Sequence, residues 1–293
     1  MEAWDLEAHV NDFVTWASSD IPRIPTGMPV IDTRIRGVAP GEMLLFLARS
    51  GVGKTWWAVN VVANNHLTPT VFISLEMSAR YVAQRLAATY CDVSTRLIEE
   101  RAALGQRHWA LEKIIADFPH LAIVDRPRMT WNDIASVVEE ISDVWGTRAR
   151  LVIVDFLELV GGAAAVEQVS VVDKLAQQAK DTARKLEVAL VVLHQVSRTA
   201  GQEGWKPLSM ISGRWGGEIS ADYLVGAYRP ALAPEQPTDD LRIICLQLLK
   251  SRSGWQTYPQ GLPYQINLES GRIRPITEPK MVQSGWQDLG FDE

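Results

Sequence analysis

The chain has 293 residues, 47% of them apolar, and its 35 acidic and 29 basic side chains leave a formal net charge of −6. That length allows one large α/β domain or two small ones, and the composition is that of an ordinary globular protein. The acidic balance argues against a face that coats duplex DNA through phosphate contacts, while leaving room for a narrow basic channel shared among subunits.

No apolar run approaches the roughly 18 residues that cross a bilayer. The start, Met1-Glu2-Ala3-Trp4-Asp5, is acidic where a signal peptide is basic. A cytoplasmic protein with no membrane partner is expected. Cys91 and Cys245 lie far apart among apolar neighbours, and the five histidines are dispersed. Buried free thiols and no structural zinc follow.

Leu6, Val10, Phe13, Val14 and Ala17 form one apolar stripe, which predicts a short amphipathic helix over 2–17. Pro22 and Pro25 end it by forcing extended backbone. The stripe packs either on its own domain or on a neighbouring subunit. From about residue 40, apolar runs alternate with helical patterns. Strands are predicted at 43–48, 70–75, 121–124, 151–154 and 188–193, and helices at 54–65, 79–90, 106–117, 131–145 and 172–186. Near the end, 223–227, 241–249 and 263–268 read as strands without long helices between them. Such alternation gives an α/β fold: a mostly parallel twisted sheet with helices on both faces, and antiparallel edge strands near the C-terminus. The expected division is a helix over 1–20, one domain over 21–277 and a polar tail over 278–293.

Chemistry enters after the strand 43–48. Ala48-Arg49-Ser50-Gly51-Val52-Gly53-Lys54-Thr55 lies between a strand and a helix, the context in which a phosphate-binding loop is credible. Glycines at 51 and 53 let backbone N–H groups turn inward around a β-phosphate, and the helix N-terminus adds its dipole. Lys54 can reach the β- and γ-phosphates of ATP, and the Thr55 hydroxyl can ligate Mg²⁺. Ala48 stands where the strict pattern has glycine. A magnesium-site carboxylate is expected at the tip of another buried strand, and Asp155, after Leu151-Val152-Ile153-Val154, supplies it. For the base that activates water, Glu76 follows the second strand and Glu158 competes. Glu76 reads equally well as a first-turn helix acid.

Taken in order, these residues resemble the RecA-like motor domain of DnaB-type replicative helicases. The resemblance rests on the phosphate loop, Ser74-Leu75-Glu76-Met77-Ser78, Val154-Asp155-Phe156-Leu157-Glu158-Leu159, Leu193-His194-Gln195-Val196-Ser197-Arg198, Glu218, Ala221-Asp222 and Lys250-Ser251-Arg252. The entry Thr26-Gly27-Met28-Pro29-Val30-Ile31-Asp32, with Gly37 and Pro40-Gly41-Glu42, fits as well. The resemblance covers roughly residues 24–275 and implies a RecA-like P-loop NTPase fold. It implies that Glu76 is the catalytic glutamate and that Gln195 senses the γ-phosphate. It also implies that Lys250 and Arg252 reach the nucleotide of a neighbouring subunit, where a guanidinium stabilises charge on the transferring phosphoryl group. A homo-oligomeric, hexameric ring around single-stranded DNA follows, with the N-terminal stripe docked on the next subunit and a loader or other replication partner implied.

The family pattern is incomplete here. About twenty residues precede the motor region, too few for the primase-binding N-terminal domain. Gly161–Gln168 lacks basic residues, and the family's Arg-Glu-x-Gly falls on Ser212-Gly213-Arg214-Trp215. Arg198, Lys206 and Arg214 are the nearby cations left to hold phosphates. Three functions are compatible with these residues. The first is an ATP-driven DnaB-like helicase of a phage or mobile element. The second is an ATPase of the same fold that works as a nucleotide-gated scaffold or loader. A small-molecule phosphotransferase is the third, and it leaves Gln195 and Lys250-Ser251-Arg252 unexplained.

Overall fold

The computed structural model describes residues 5–18, 23–161, 169–196, 204–209, 219–233, 241–252, 254, 256–257 and 260–276. Met43–Ala48 (β1), Thr70–Ser74 (β2), Leu121–Val124 (β3), Leu151–Asp155 (β4), Ala189–Gln195 (β5) and Tyr223–Tyr228 (β6) run parallel. Ile243–Ser251 (β7), Leu262–Ile266 (β8) and Ile273–Pro275 (β9) continue the sheet antiparallel. The strand order is β3-β2-β4-β5-β1-β6-β7-β8-β9.

Strands buried on both faces read as unbroken apolar runs, and β1 shows why. Leu44, Phe46 and Ala48 face one layer, while Met43, Leu45 and Leu47 face the other. The first layer is built from helices α2 (Pro29–Ile35), α3 (Lys54–Asn64) and α4 (Ala79–Cys91), with Trp57 stacked on Phe46 at 4.0 Å between ring centroids. The second is built from α7 (Trp131–Trp145) and α8 (Val169–Leu186). A capping box of Thr130 and Asp133 opens α7, and Gly146 closes it in a left-handed conformation.

Several expectations shift. Helices α2, α5 (Thr95–Ala103) and strand β9 are additional to those read from the sequence. Helix α6 is Trp109–Asp117 and starts late, because the His108 side chain accepts the Ala110 N–H and acts as its N-cap. Strand β7 lies two residues further along than expected. The N-terminal helix α1 is Leu6–Ser18 and has no buried residue. The tail 278–293 lies outside the described residues. Among the described residues, no helix is long and apolar enough to cross a membrane. Both cysteines are free; Cys245 is buried and Cys91 half-buried.

Asn60 ties the short β9 to the nucleotide-side helix. Its buried amide donates to the Trp56 and Gly271 carbonyls, each at 2.8 Å, and accepts the Ile273 N–H at 2.9 Å. Asn60→Ala leaves main-chain groups unsatisfied inside the core, so destabilisation of about 2–4 kcal/mol is expected from urea unfolding. A loss under about 0.5 kcal/mol contradicts this role for the amide.

Candidate nucleotide site

All six parallel strands point their C-terminal ends to one edge of the sheet, and the predicted phosphate loop sits there. Ala48 closes β1 in extended conformation, paired with Gln195 on one side and Ala227 on the other. A strand-end residue needs no left-handed backbone, so alanine serves at this position. Gly51 and Gly53 do need it, with φ of +82° and +121°. The turn they make puts Lys54 and Thr55 at the first turn of α3. Lys54 Nζ donates back to the Ala48 carbonyl at 3.3 Å.

A cleft of about 520 Å³ opens over this loop, lined by Ser50, Gly51, Gly53, Lys54, Thr55, Trp56, Glu76, Met77, Ser78, Tyr81 and Arg85. Glu76 is exposed to it. Its turn is fixed by Ser74, whose hydroxyl donates to the Met77 carbonyl at 2.5 Å and accepts the Met77 N–H at 3.2 Å. Asp155, at the tip of β4, is buried and accepts the Thr55 hydroxyl at 2.8 Å through Oδ2. Its other oxygen, Oδ1, is buried without a hydrogen-bond partner among the described residues.

Charge is concentrated here. Burial pushes the Asp155 carboxyl up to about 6; the Thr55 hydrogen bond opposes the rise, Glu76 adds to it, and Lys54 and Arg85 oppose it. Burial also lowers Lys54, against the pull of Glu158, Asp155 and Glu76. Arg85, on α4, was not singled out in the sequence. Its guanidinium lies 4.9 Å from the Trp56 ring centroid and faces Asp155 and Glu76, with burial lowering its pKa. One helical arginine among others carries no local signal, so only the fold brings it into the cleft.

The remaining predicted residues divide by edge. Gln195 ends β5 beside Ala48, on the cleft side. Glu158, on the short 3-10 turn Leu157–Leu159, is buried, and its Oε1 accepts the Gln195 N–H at 2.9 Å. Lys250 and Arg252 lie at the opposite edge, because β7 is antiparallel and Ser251 pairs with Tyr223 at the start of β6. There Lys250 donates to the Ile219 carbonyl at 2.8 Å, and Arg252 pairs with the buried Asp222. Asp222 also takes Lys180 at 2.6 Å and the Met43 N–H at 2.6 Å.

Of the three predicted DNA contacts, Arg198 and Arg214 lie outside the described residues. Lys206 is exposed, with Nζ 4.4 Å from the Trp205 ring centroid. Its segment is held by Gln247, whose amide binds both the N–H and the carbonyl of Leu208, at 2.8 and 3.1 Å.

A glycine loop between a parallel strand and a helix, with a buried carboxylate on the threonine hydroxyl, defines a P-loop nucleotide-binding domain. Residues 23–260 match the family described as DnaB-like helicase C terminal domain, and the chain belongs to that family. It is 30% identical over 207 residues to the replicative DNA helicase DnaB of Leifsonia xyli subsp. xyli, covering 68% of this chain and 44% of that protein. It is 26% identical over 250 residues to the DnaB of Pasteurella multocida, covering 82% of this chain and 53% of that protein. The chain thus spans about half the length of these curated relatives. In fold it is similar to the ATPase domain of G40P, with TM-score 0.79 at 23% identity, covering 94% of this chain and all of that one. A DnaB-like replicative helicase described with its interactions with primase gives TM-score 0.76 at 22% identity, covering 94% of this chain and 69% of that one.

The raised Asp155 carboxyl has a consequence for stability. Its folded-state value of about 6 lies above the ordinary 3.8, so its protonated form favours the fold below pH 3.8, and that contribution is lost as pH rises through 6. Without nucleotide or metal, Asp155→Asn is therefore expected to be more stable than the parent by about 3 kcal/mol at pH 7, with the gap closing near pH 4. Urea midpoints across that range test this, and a gap independent of pH contradicts it.

Proposed function

We propose that this chain is an ATP-hydrolysing ring motor that translocates on single-stranded DNA as a DnaB-like replicative helicase, working in the cytoplasm as a homo-oligomer, in a hexameric ring. The observation that carries the reading is the separation of its charged groups. Lys54, Thr55, Glu76, Asp155 and Gln195 gather at one edge of the sheet, and Lys250 and Arg252 stand at the other. Six residues of β1 separate the edges by roughly 17 Å, beyond an arginine's reach. Arg252 therefore serves no nucleotide on its own chain. In a head-to-tail ring it faces the cleft of the next subunit, and the site becomes composite.

The geometry supports a role for each of these residues. Backbone N–H groups of Arg49–Gly53 and the α3 N-terminus hold the phosphates, and Lys54 leaves the Ala48 carbonyl for the γ-phosphate. The unpartnered Asp155 Oδ1 and the Thr55 hydroxyl fit a magnesium site, with Asp155 acting directly or through water. When bound, the ion neutralises charge on the β- and γ-phosphate oxygens. Glu76, exposed to the cleft on a fixed turn, orients the attacking water and takes its proton. Gln195 reads the γ-phosphate from the end of β5. Lys250 and Arg252 stabilise the developing charge in trans.

Helix α1 supports the same assembly. Leu6 is 75% exposed and Phe13 61%, with Val10 and Val14 beside them. The proposed occupant of that face is the neighbouring motor domain, with 1–20 the docking helix and 21–277 the motor. Single-stranded DNA passes the loops that follow β4 and β5, with Lys206 among the contacts. A loader or other replication partner is part of this reading.

Lys54→Ala is expected to abolish hydrolysis. Arg252→Ala should lower kcat on the order of 10³-fold while nucleotide affinity stays within about threefold. Single-stranded DNA should stimulate hydrolysis in the parent protein, with binding that weakens as salt rises. Hydrolysis indifferent to DNA, with no salt-dependent binding, instead favours a nucleotide-gated scaffold or loader.

A further inference from the structure

Glu158 is a buried carboxylate that phosphate binding and water activation leave without a task. It is 4% exposed, and the neighbouring His194 is fully buried. The short turn after β4 brings its side chain under the end of β5, where Oε1 accepts the Gln195 N–H at 2.9 Å and lies 3.2 Å from His194 Nδ1. Oε2 is buried with no hydrogen-bond partner among the described residues. Burying a carboxylate with one oxygen unsatisfied is unfavourable by several kcal/mol unless a charge or ligand nearby uses it. An apolar side chain would fill the space without that penalty. Of the carboxylates near Lys54, Glu158 acts most strongly on its ammonium.

We propose that Glu158 is the positioning residue for Gln195. It clamps the main chain at the end of β5, so that the Gln195 side chain stays aimed at the γ-phosphate of ATP. This rests on the reading of Gln195 as the residue that reads the γ-phosphate. The physical basis is local. Val154 and Val192 are the last paired residues of β4 and β5, so the sheet ladder between these strands stops short of residue 195. The Glu158 carboxylate takes over where the ladder ends. The hydrogen bond to Oε1 holds the last residue of the strand on the side where no β4 residue pairs with it. The β4 tip, carrying Asp155, and the β5 tip, carrying Gln195, are thereby joined through one side chain. His194, fully buried, lies against the same oxygen, with Nδ1 at 3.2 Å.

Steady-state ATP hydrolysis by the full chain tests this. Glu158→Ala is expected to lower kcat about tenfold or more with KM within about threefold. Glu158→Gln, which keeps an acceptor of the same shape, is expected to restore most of the loss. In a double-mutant cycle, Glu158→Ala combined with Gln195→Ala should fall no further than Gln195→Ala alone, because both remove the same function. The proposal is overturned by a parental kcat in Glu158→Ala, by losses that multiply in the double variant, or by a KM effect without a kcat effect. If Glu158→Ala does not fold, Glu158→Gln still decides: an inactive but folded Gln variant overturns the clamp, since its acceptor is intact. Full hydrolysis by Gln195→Ala sinks the reading of Gln195 itself. An inactive Gln195→Ala beside a fully active Glu158→Ala sinks only the clamp.

Discussion

The direction of the six parallel strands decides at which edge of the sheet the charged groups of the candidate site fall. Parallel strands deliver their C-terminal ends to one edge, and short loops there can converge on a single ligand. Here β1, β2, β4 and β5 deliver the phosphate loop, Glu76, Asp155 and Gln195 to that edge. The reversal at β7 sends Lys250 and Arg252 to the other. A single inversion of strand direction thus places these two sets of charged residues on opposite edges of the sheet. Asp222 marks the far edge as Asp155 marks the near one. It is buried and gathers Lys180, Arg252 and the Met43 N–H, which fixes the start of β1 and the end of β7 to each other.

At the near edge, burial raises the Asp155 carboxyl and leaves one of its oxygens without a hydrogen-bond partner among the described residues, and it lowers the Lys54 ammonium among three carboxylates. Each is a strained arrangement that a metal ion and a triphosphate would relieve. Arg85 over Trp56 adds a fixed positive wall opposite Asp155 and Glu76.

Much of this was legible in the sequence because the signals are local. The apolar run Met43–Ala48 and the helical period of Trp131–Trp145 need no tertiary context to be read. The phosphate loop was readable because its glycines answer a backbone demand that is the same in any protein. The family followed from motifs in order, which the match over 23–260 bears out. What escaped depends on contacts far apart in the chain. Helix α2 has seven residues and β9 three, too short for a period to emerge. Arg85 looks like any surface helix arginine until α4 packs beside α3. By position alone Glu158 competes with Glu76 as the base for water, yet its carboxylate is turned to the Gln195 main chain, a partner 37 positions away. The far-edge position of Arg252 required the antiparallel turn of β7.

In the proposed ring, hydrolysis needs groups from two subunits. The most direct test mixes two dead proteins. A Lys54→Ala subunit lacks its own phosphate grip but still offers Arg252 to its neighbour, and an Arg252→Ala subunit has the reverse defect. Co-expressed as mixed rings, the pair should recover hydrolysis, up to about a quarter of the parental rate by random assortment around the ring. A mixed oligomer that stays as inactive as either variant alone would contradict a composite site.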